Sequence, residues 1–249
     1  MYLTVQGLVL RVTPYKDHDA LLTVLTREQG KLTVKARGLR RKNSPLVAPC
    51  QLLAFGEFTL FEYKGMYTVN EAHSLELFQQ LRNDLSKLSL GTYFAQVAEV
   101  VSQEDLPNPE LLSLVLNCLY SLARSEEAAE KKIKAVFELR TACVSGYTPD
   151  LSGCRGCGDL RPDRFDISQG VLECVACRDM ASNGIRMPVS AGVLDAMRYI
   201  VSCDPRKILA FQSGQQTLEE LSYITESYLS TQLERGFSTL DFYKSLQPV

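Results

Sequence analysis

The sequence predicts an α+β protein with a small amino-terminal β-barrel, an α-helical body and a four-cysteine element inserted between helices of that body. Residues 1–75 are rich in β-branched and apolar residues, contain repeated turn signals and alternate with a period of two at Lys31–Arg37. From residue 77 onward apolar residues recur at steps of three and four, and two Cys-x-x-Cys pairs interrupt this helical pattern. We expect a barrel domain at residues 1–78 and a helical domain at residues 79–249, with the four-cysteine element at residues 150–187.

The composition is that of an ordinary globular protein, with 45% hydrophobic residues, 22% charged residues and eight cysteines. It excludes a disordered tail, a collagen-like repeat and a disulfide-dense secreted scaffold. Residues 1–20 lack a basic leader followed by an apolar stretch, and the chain contains no run of about 18 uncharged apolar residues. We therefore expect a cytoplasmic protein without membrane contact, whose cysteines are reduced thiols or metal ligands.

Five runs in the first 75 residues have the composition of β-strands. They are Tyr2–Val12, Ala20–Thr26, Lys31–Arg37, Leu52–Tyr63 and Tyr67–Leu75. Turn signals separate them, among them Thr13-Pro14, Gln29-Gly30 and Lys64-Gly65-Met66. Five strands in so short a segment predict a small closed or nearly closed barrel. The aromatic residues of its last two strands are predicted to fill the barrel core, and they are Phe55, Phe58, Phe61, Tyr63 and Tyr67.

Positive charge is concentrated near the amino terminus, where residues 1–50 contain nine Lys and Arg against three Asp and Glu. The whole chain has a net charge of −2, so the remainder is acidic. The period of two in the third strand places Lys31, Lys35 and Arg37 on one face. The set continues beyond that strand, and we call it the basic stripe: Lys31, Lys35, Arg37, Arg40, Arg41 and Lys42. Such a stripe attracts polyanions, and nucleic acid is the leading candidate, although a solvated loop explains it equally well.

Residues 77–103 carry the first helical pattern. Asn108 then has the features of an N-cap, with Pro109 in the first turn of a helix that runs through Leu122. Further helices are predicted at about Glu126–Val144, at residues 190–203 and at residues 215–235.

Cys154 and Cys157 form one Cys-x-x-Cys pair, and Cys174 and Cys177 form a second pair after sixteen residues. This spacing is typical of a four-thiolate site that holds one structural Zn²⁺ without an open coordination position. Two disulfides, a redox-active dithiol or an iron centre are the alternatives. The remaining cysteines lack metal-ligand spacing and are predicted to be small buried residues: Cys50, Cys118, Cys143 and Cys203.

No catalytic motif is present in the sequence. It lacks a phosphate-binding loop, a His-Glu-x-x-His pair, a nucleophile elbow and a dinucleotide fingerprint. His18 and His73 are the only imidazoles, and His18 lies between Asp17 and Asp19 in a polar loop. We therefore expect a binding protein and not an enzyme.

Several motifs occur in a fixed order along most of the chain. They are Gly7-Leu8-Val9-Leu10, Tyr15 with Asp17 and Asp19, Arg37-Gly38-Leu39-Arg40-Arg41-Lys42-Asn43-Ser44, Phe137-Glu138-Leu139-Arg140, Gly146-Tyr147-Thr148-Pro149-Asp150-Leu151, and the two cysteine pairs. Together they resemble the RecO family of bacterial DNA repair and recombination mediators. Two positions depart from the family pattern. The family often has Glu where this chain has Asp17, and a small residue where this chain has Leu39.

The resemblance implies an oligonucleotide-binding (OB) barrel that binds single- and double-stranded DNA. It further implies that the protein anneals complementary strands and, with RecR and single-stranded-DNA-binding protein, helps to load RecA in the bacterial cytoplasm at the nucleoid. The basic stripe is then the predicted DNA-binding site, and Tyr15 is a candidate for base stacking. Binding of the acidic, hydrophobic tail of the single-strand-binding protein requires an apolar groove beside a cation. The helical body is a candidate location, with Lys131, Lys132, Lys134 and Arg140 as the cations.

Three other functions remain open on the residues alone. A zinc-ribbon protein of RNA metabolism shares the barrel and the cysteine pairs but prefers RNA. A protein-interaction adaptor uses the basic stripe to contact an acidic protein. A metal-dependent hydrolase requires carboxylate ligands such as Asp17 and Asp19.

Overall fold

The computed structural model describes residues 1–126, 129–177 and 184–247. The helices are α1 (Gln79–Arg82), α2 (Leu85–Val101), α3 (Pro109–Arg124), α4 (Glu130–Val144), α5 (Ala191–Ser202), α6 (Gln215–Gln232) and α7 (Ser238–Ser245). The strands are β1 (Tyr2–Tyr15), β2 (Asp19–Thr26), β3 (Lys31–Ala36), β4 (Phe55–Tyr63), β5 (Met66–Glu76), β6 (Asp150–Cys154), β7 (Arg164–Asp166), β8 (Val171–Glu173) and β9 (Arg186–Pro188). The chain divides into two compact units, Met1–Arg124 with the described part of Phe237–Val249, and Ser125–Gly236.

The five predicted amino-terminal strands form a closed barrel in the order β1-β2-β3-β5-β4. All neighbouring strands are antiparallel except β3 and β5, which run parallel with Val34 opposite Tyr67 and Lys35 opposite Thr68. Closure removes the exposed sheet edges that an open five-stranded sheet would have. This confirms the predicted α+β class with an OB-like barrel.

The barrel interior is filled by alternate residues of each strand. The buried side chains include Val5, Val9, Leu22, Val24, Leu32, Val34, Phe58, Leu60 and Val69. Leu39, which follows β3, is also buried in this core. It therefore anchors the segment after β3 to the barrel.

The prediction that all five aromatic residues of β4 and β5 fill the core is wrong. Phe58 lies in the core and Tyr67 packs against it, but Phe61 and Tyr63 are exposed and Phe55 is half-buried. Successive side chains of a strand point to opposite faces. Because Phe58 points inward, the odd-numbered positions of β4 point outward.

The first unit also contains α1, α2, α3 and α7. The Asn108 side chain accepts a hydrogen bond from the Leu111 N–H at 2.9 Å, so it caps α3 as predicted. The segment α7 was absent from the sequence-based expectations. Phe237, at its start, contacts Tyr93 of α2 edge-on, with ring centroids 5.5 Å apart. The predicted domain boundary at residue 78 stays a prediction.

The second unit combines α4, α5 and α6 with a four-stranded sheet in the order β6-β8-β7-β9. The sheet includes the predicted hairpin, in which β7 and β8 are antiparallel. The helix predicted from about Glu126 begins at Glu130, and residues 127–128 lie outside the described residues. Residues 178–183 of the predicted four-cysteine element and residues 248–249 also lie outside them.

The cations that we placed beside a groove in the helical body are all engaged. Lys134 is buried, with its Nζ 2.9 Å from Glu138 and 2.8 Å from Glu226. Lys131 pairs with Glu219 at 3.0 Å. Lys132 donates to the carbonyl of Phe211, and Arg140 donates to the carbonyls of Ile200 and Val201. All four cations are therefore occupied by contacts within the second unit.

Among the helices that the structure describes, none combines the length and the apolar character that spanning a bilayer would require.

Candidate nucleic-acid interface and metal centre

Four cations of the basic stripe project from one short segment after β3. We call residues 37–42 the basic loop. Arg37, Arg40, Arg41 and Lys42 are exposed, whereas Leu39 between them is buried. Within the described parts of the chain, no carboxylate forms an ion pair with any of these four cations. The basic loop thus presents four charges to solvent from a segment that its own apolar residue attaches to the barrel.

The turn between β1 and β2 holds the basic loop in place. Asp19 accepts a hydrogen bond from the Gly38 N–H at 2.9 Å and pairs with the Lys35 Nζ at 3.1 Å. The Arg40 N–H donates to the carbonyl of His18 at 2.9 Å. Gly38 has a φ of 66°, which glycine adopts without a steric penalty. The hydrogen bond from Gly38 and the ammonium group of Lys35 lower the pKa of Asp19.

Lys31 and Lys35 lie on the outward face of β3, as the alternation predicts, but both are held by other groups. The Lys31 Nζ donates to the carbonyl of Glu99 in α2 at 2.8 Å. The Lys35 Nζ pairs with Asp19, and it lies 5.1 Å from the centroid of the Tyr15 ring. The geometry therefore separates the basic stripe into four exposed cations and two that brace the barrel.

Two further lysines lie in the loops that OB barrels use around their binding face, and the sequence-based prediction omitted them. Lys16, between β1 and β2, is 5.4 Å from the Tyr15 ring centroid, and Lys64, between β4 and β5, is 5.4 Å from that of Tyr63. Their positions in the two predicted turns would have identified them as candidates from the sequence. Tyr15 itself is only 37% exposed and already has two ammonium groups near its ring.

We predict that Asp19→Ala lowers the melting temperature at neutral pH. The pKa of Asp19 is lower in the folded protein than in the unfolded chain, so its stabilisation is present above the unfolded pKa of about 3.9 and disappears as the pH falls below it. The difference in melting temperature from the parent should therefore shrink between pH 5 and about pH 3. Asp17→Ala, in the same turn, is the matched control. Equal melting temperatures of the two variants at pH 7 would contradict the anchoring role.

The four predicted metal ligands converge on one point. The Sγ atoms of Cys154, Cys157, Cys174 and Cys177 all lie within 4.8 Å of one another. A tetrahedral site with metal–sulfur distances near 2.3 Å requires sulfur–sulfur separations of about 3.8 Å. The Sγ atoms of Cys157 and Cys174 are 3.8 Å apart. The donor set therefore fits a single tetrahedral metal ion.

Two tight turns orient these thiols. In the first, the Gly158 N–H donates to the carbonyl of Cys154 at 2.8 Å, and in the second, the Cys177 N–H donates to the carbonyl of Cys174 at 3.0 Å. Strands β6 and β8 are parallel neighbours, which brings the two turns together. A Cβ at Gly156 would lie 2.8 Å from the Cβ of Cys177, so only glycine fits between the turns.

The local electrostatics favour a thiolate at Cys154. Hydrogen bonds from backbone N–H groups, led by that of Cys157, lower the pKa of the Cys154 thiol to about 6, whereas hydrogen bonding to the Cys174 side chain raises the pKa of the Cys177 thiol to about 12. All eight cysteines are free thiols, which disfavours the disulfide alternative for the two pairs. Of the other four, Cys50 and Cys118 are buried as predicted, whereas Cys143 and Cys203 are half-buried. Thiolate ligands are compatible with zinc and with iron, so the donor set identifies a metal site and not its metal.

Among the residues that the structure describes, only these four cysteines bring together three or more His, Cys, Asp or Glu side chains that could hold a metal ion. The Asp19 carboxylate, considered as a ligand for a hydrolytic metal, is occupied by Gly38 and Lys35.

Comparison with known proteins covers both units. A protein-family model described as Recombination protein O N terminal matches residues 1–78, and one described as Recombination protein O C terminal matches residues 82–241. The chain is 32% identical over 250 residues to the DNA repair protein RecO of Acetivibrio thermocellus, covering 100% of this chain and 98% of that protein. It is 30% identical to the DNA repair protein RecO of Alkaliphilus metalliredigens, covering 99% and 100% of the two chains. The protein with the basic loop and the four-cysteine centre therefore belongs to the RecO family of DNA repair proteins.

Proposed function

We propose that this protein is a mediator of DNA repair and homologous recombination. It binds single- and double-stranded DNA through the basic loop, anneals complementary strands and, with RecR, helps to load RecA onto DNA that is covered by single-stranded-DNA-binding protein. The observation that carries the proposal is the presence of four exposed cations on one loop, braced over a closed OB barrel, in a chain of the RecO family.

Annealing needs no bond to be made or broken by the protein. It requires that two polyanions approach each other with their mutual repulsion reduced. Lys and Arg side chains achieve this by neutralising phosphates and releasing condensed counterions. Arg37, Arg40 and Arg41 also offer planar guanidinium groups, which match phosphate oxygens in bidentate fashion.

The two braced lysines have a different role in this proposal. Lys31 ties β3 to α2, and Lys35 keeps Asp19 and the Tyr15 ring in place. They contribute to the positive potential, but their first task is to keep the basic loop in one conformation. A loop that is ordered before binding loses less conformational entropy when a nucleic acid strand arrives.

The four cysteines are assigned to one structural Zn²⁺. The protein supplies all four ligands, so no position is left for substrate, and the ion stabilises the small sheet of the second unit. A redox-active dithiol would need only one of the two pairs.

We place the hydrophobic end of the tail of the single-strand-binding protein in an apolar groove of the first unit. It has a volume of about 300 Å³ and lies between α2 and α7, with Leu85, Leu88 and Phe242 among its lining residues. Leu85 and Phe242 are exposed, so the groove is open to a hydrophobic peptide terminus.

A strand-annealing assay tests the proposed function. We expect the protein to accelerate annealing of complementary oligonucleotides, and to do so also when both are covered by single-stranded-DNA-binding protein. Binding that prefers RNA over DNA of the same sequence would support the zinc-ribbon RNA protein instead. An absence of DNA binding at moderate salt would support the adaptor, and Mg²⁺-dependent cleavage of the strands would support the hydrolase.

A further inference from the structure

The outer surface of the barrel carries three exposed aromatic rings, which we call the aromatic face. Tyr2 is 62% exposed, Phe61 is 40% exposed and Tyr63 is 62% exposed. Large aromatic side chains on a barrel surface are costly to hydrate, and a cluster of them indicates a binding surface. None of the three is needed to fill the barrel, because Phe58, Leu60 and Val69 already do so.

The strand register fixes how these rings are arranged. Tyr2 on β1 lies directly opposite Phe61 on β4, and their ring centroids are 5.3 Å apart at an interplanar angle of 55°. Tyr63 lies two residues further along β4, on the same face as Phe61. The Nζ of Lys64 lies 5.4 Å from the Tyr63 ring centroid. The three rings thus form one outward cluster, with a cation at its edge.

The same register connects the aromatic face to the basic stripe. Phe61 lies opposite Thr68 on β5, and Thr68 lies opposite Lys35 on β3. Two strand spacings, or about 10 Å, therefore separate Phe61 from Lys35 across the outer surface. At most about three nucleotides of a strand span that distance, because a nucleotide advances by at least roughly 3.4 Å, its rise in a B-form duplex. A strand that leaves the basic loop can reach the rings without crossing the barrel interior.

We propose that the aromatic face stacks on unpaired bases of single-stranded DNA and gives this protein a preference for single strands over duplex. The inference rests on the proposed function, because it extends the DNA path that begins at the basic loop. Phosphate contacts are available in single and double strands alike. Ring stacking needs a free base face, which a duplex offers only at its ends.

Charge favours nucleic acid as the occupant of this surface. The exposed Lys64 lies beside the rings, so a strand bound there meets a cation at the turn between β4 and β5. Farther along the outward face of β4 and β5 the charge becomes negative, with Glu57 and Glu71. This acidic end marks where a phosphate chain has to leave the barrel. A protein partner on the aromatic face is the competing occupant, which the experiment below distinguishes.

The chain contains no tryptophan, which provides a direct test. Phe61→Trp introduces one indole at the centre of the aromatic face and retains a stacking surface. We expect single-stranded DNA to quench its fluorescence, and we expect an equimolar concentration of blunt duplex to quench it far less. Tyr223→Trp, at an exposed position of α6, is the matched control and should report no quenching.

The triple variant Tyr2→Ala, Phe61→Ala, Tyr63→Ala supplies the energetic test. One base–ring contact contributes a factor of roughly 5 to 150 in affinity. We expect single-strand affinity to fall by about 100-fold or more while duplex affinity changes less than about twofold. Circular dichroism should match the parent, because the removed rings are outside the core.

Several results would overturn the inference. The inference fails if the indole of Phe61→Trp stays unquenched although this variant binds single strands as tightly as the parent. Unchanged single-strand affinity of the triple variant together with lost binding to RecR would assign the surface to a protein partner instead. If the parent protein bound neither form of DNA, the proposed function itself would fail, which is a distinct outcome.

Discussion

A Cys174→Ser variant is expected to lose its bound metal and to unfold the sheet of β6 to β9. Three of these strands have only three residues each, so the sheet has little hydrogen bonding of its own. Metal binding to small four-ligand elements contributes on the order of 10–16 kcal/mol, which is effectively their folding free energy. Metal analysis should find one Zn²⁺ per parent chain and well under half that in the variant. Hydrogen exchange should show rapid exchange in β6 to β9 and unchanged protection in the barrel.

Gly156→Ala tests the same centre without removing a ligand. Its Cβ would lie 2.8 Å from the Cβ of Cys177, so the two turns have to separate and the four sulfurs cannot all reach one ion. Cys203→Ser, a half-buried thiol outside the cluster, is the matched control and should keep the metal. A Cys174→Ser variant that kept both its metal and its exchange protection would contradict the four-ligand site, and iron in place of zinc would correct the identity of the ion.

The second large effect is expected from charge reversal in the basic loop. A variant with Arg37→Glu, Arg40→Glu and Arg41→Glu should lose DNA affinity by on the order of a hundredfold or more, because phosphate neutralisation supplies most of non-specific binding. All three side chains are exposed, so the fold should remain intact. Fluorescence anisotropy with single and double strands measures the loss, and circular dichroism checks the fold.

The salt dependence of DNA binding by the parent protein distinguishes a site with four phosphate contacts from a site with six. If only the four exposed cations neutralise phosphates, log K against log salt should have a slope of about −2.8 on single strands. If Lys31 and Lys35 exchange their protein partners for phosphates, six contacts should give about −4.2. The structure favours the shallower slope, because both lysines already have acceptors.

A matched control variant tests whether the change in net charge alone lowers the DNA affinity. Arg124→Glu, Arg161→Glu and Lys207→Glu together change the charge by the same amount at exposed positions outside the barrel. This variant should bind DNA within about threefold of the parent, since charges farther apart than a Debye length of about 8 Å are largely screened. An equal loss of affinity in both triple variants would mean that the basic loop is not the binding site.

The alternation of β3 and the spacing of the cysteines were sufficient to predict which residues share a face and which share an ion. Lys31 and Lys35 lie outward on β3, as a period of two requires, and Arg37 is exposed directly after the strand. The four thiols meet as their two turns require. The N-cap at Asn108 was equally readable, because capping involves residues three positions apart.

The face of β4 that points inward could not be read in the same way. Both faces of this strand carry apolar residues, so the pattern has no polar side to identify the surface. Pairing with β1 and β5 settles the question, because Val5 lies opposite Phe58 and points into the core with it. Phe61 and Tyr63 are thereby directed to solvent.

Local patterns thus established the barrel strands, the outward direction of the basic stripe and the metal ligands, because each depends on residues within a few positions of one another. Long-range contacts established which cations are available and where the aromatic rings lie. Lys31 is engaged by Glu99, 68 residues away in the sequence, and α7 packs against α2 through Phe237 and Tyr93. Such pairings depend on the closure of the barrel and on helix packing, and no periodicity in the chain encodes them.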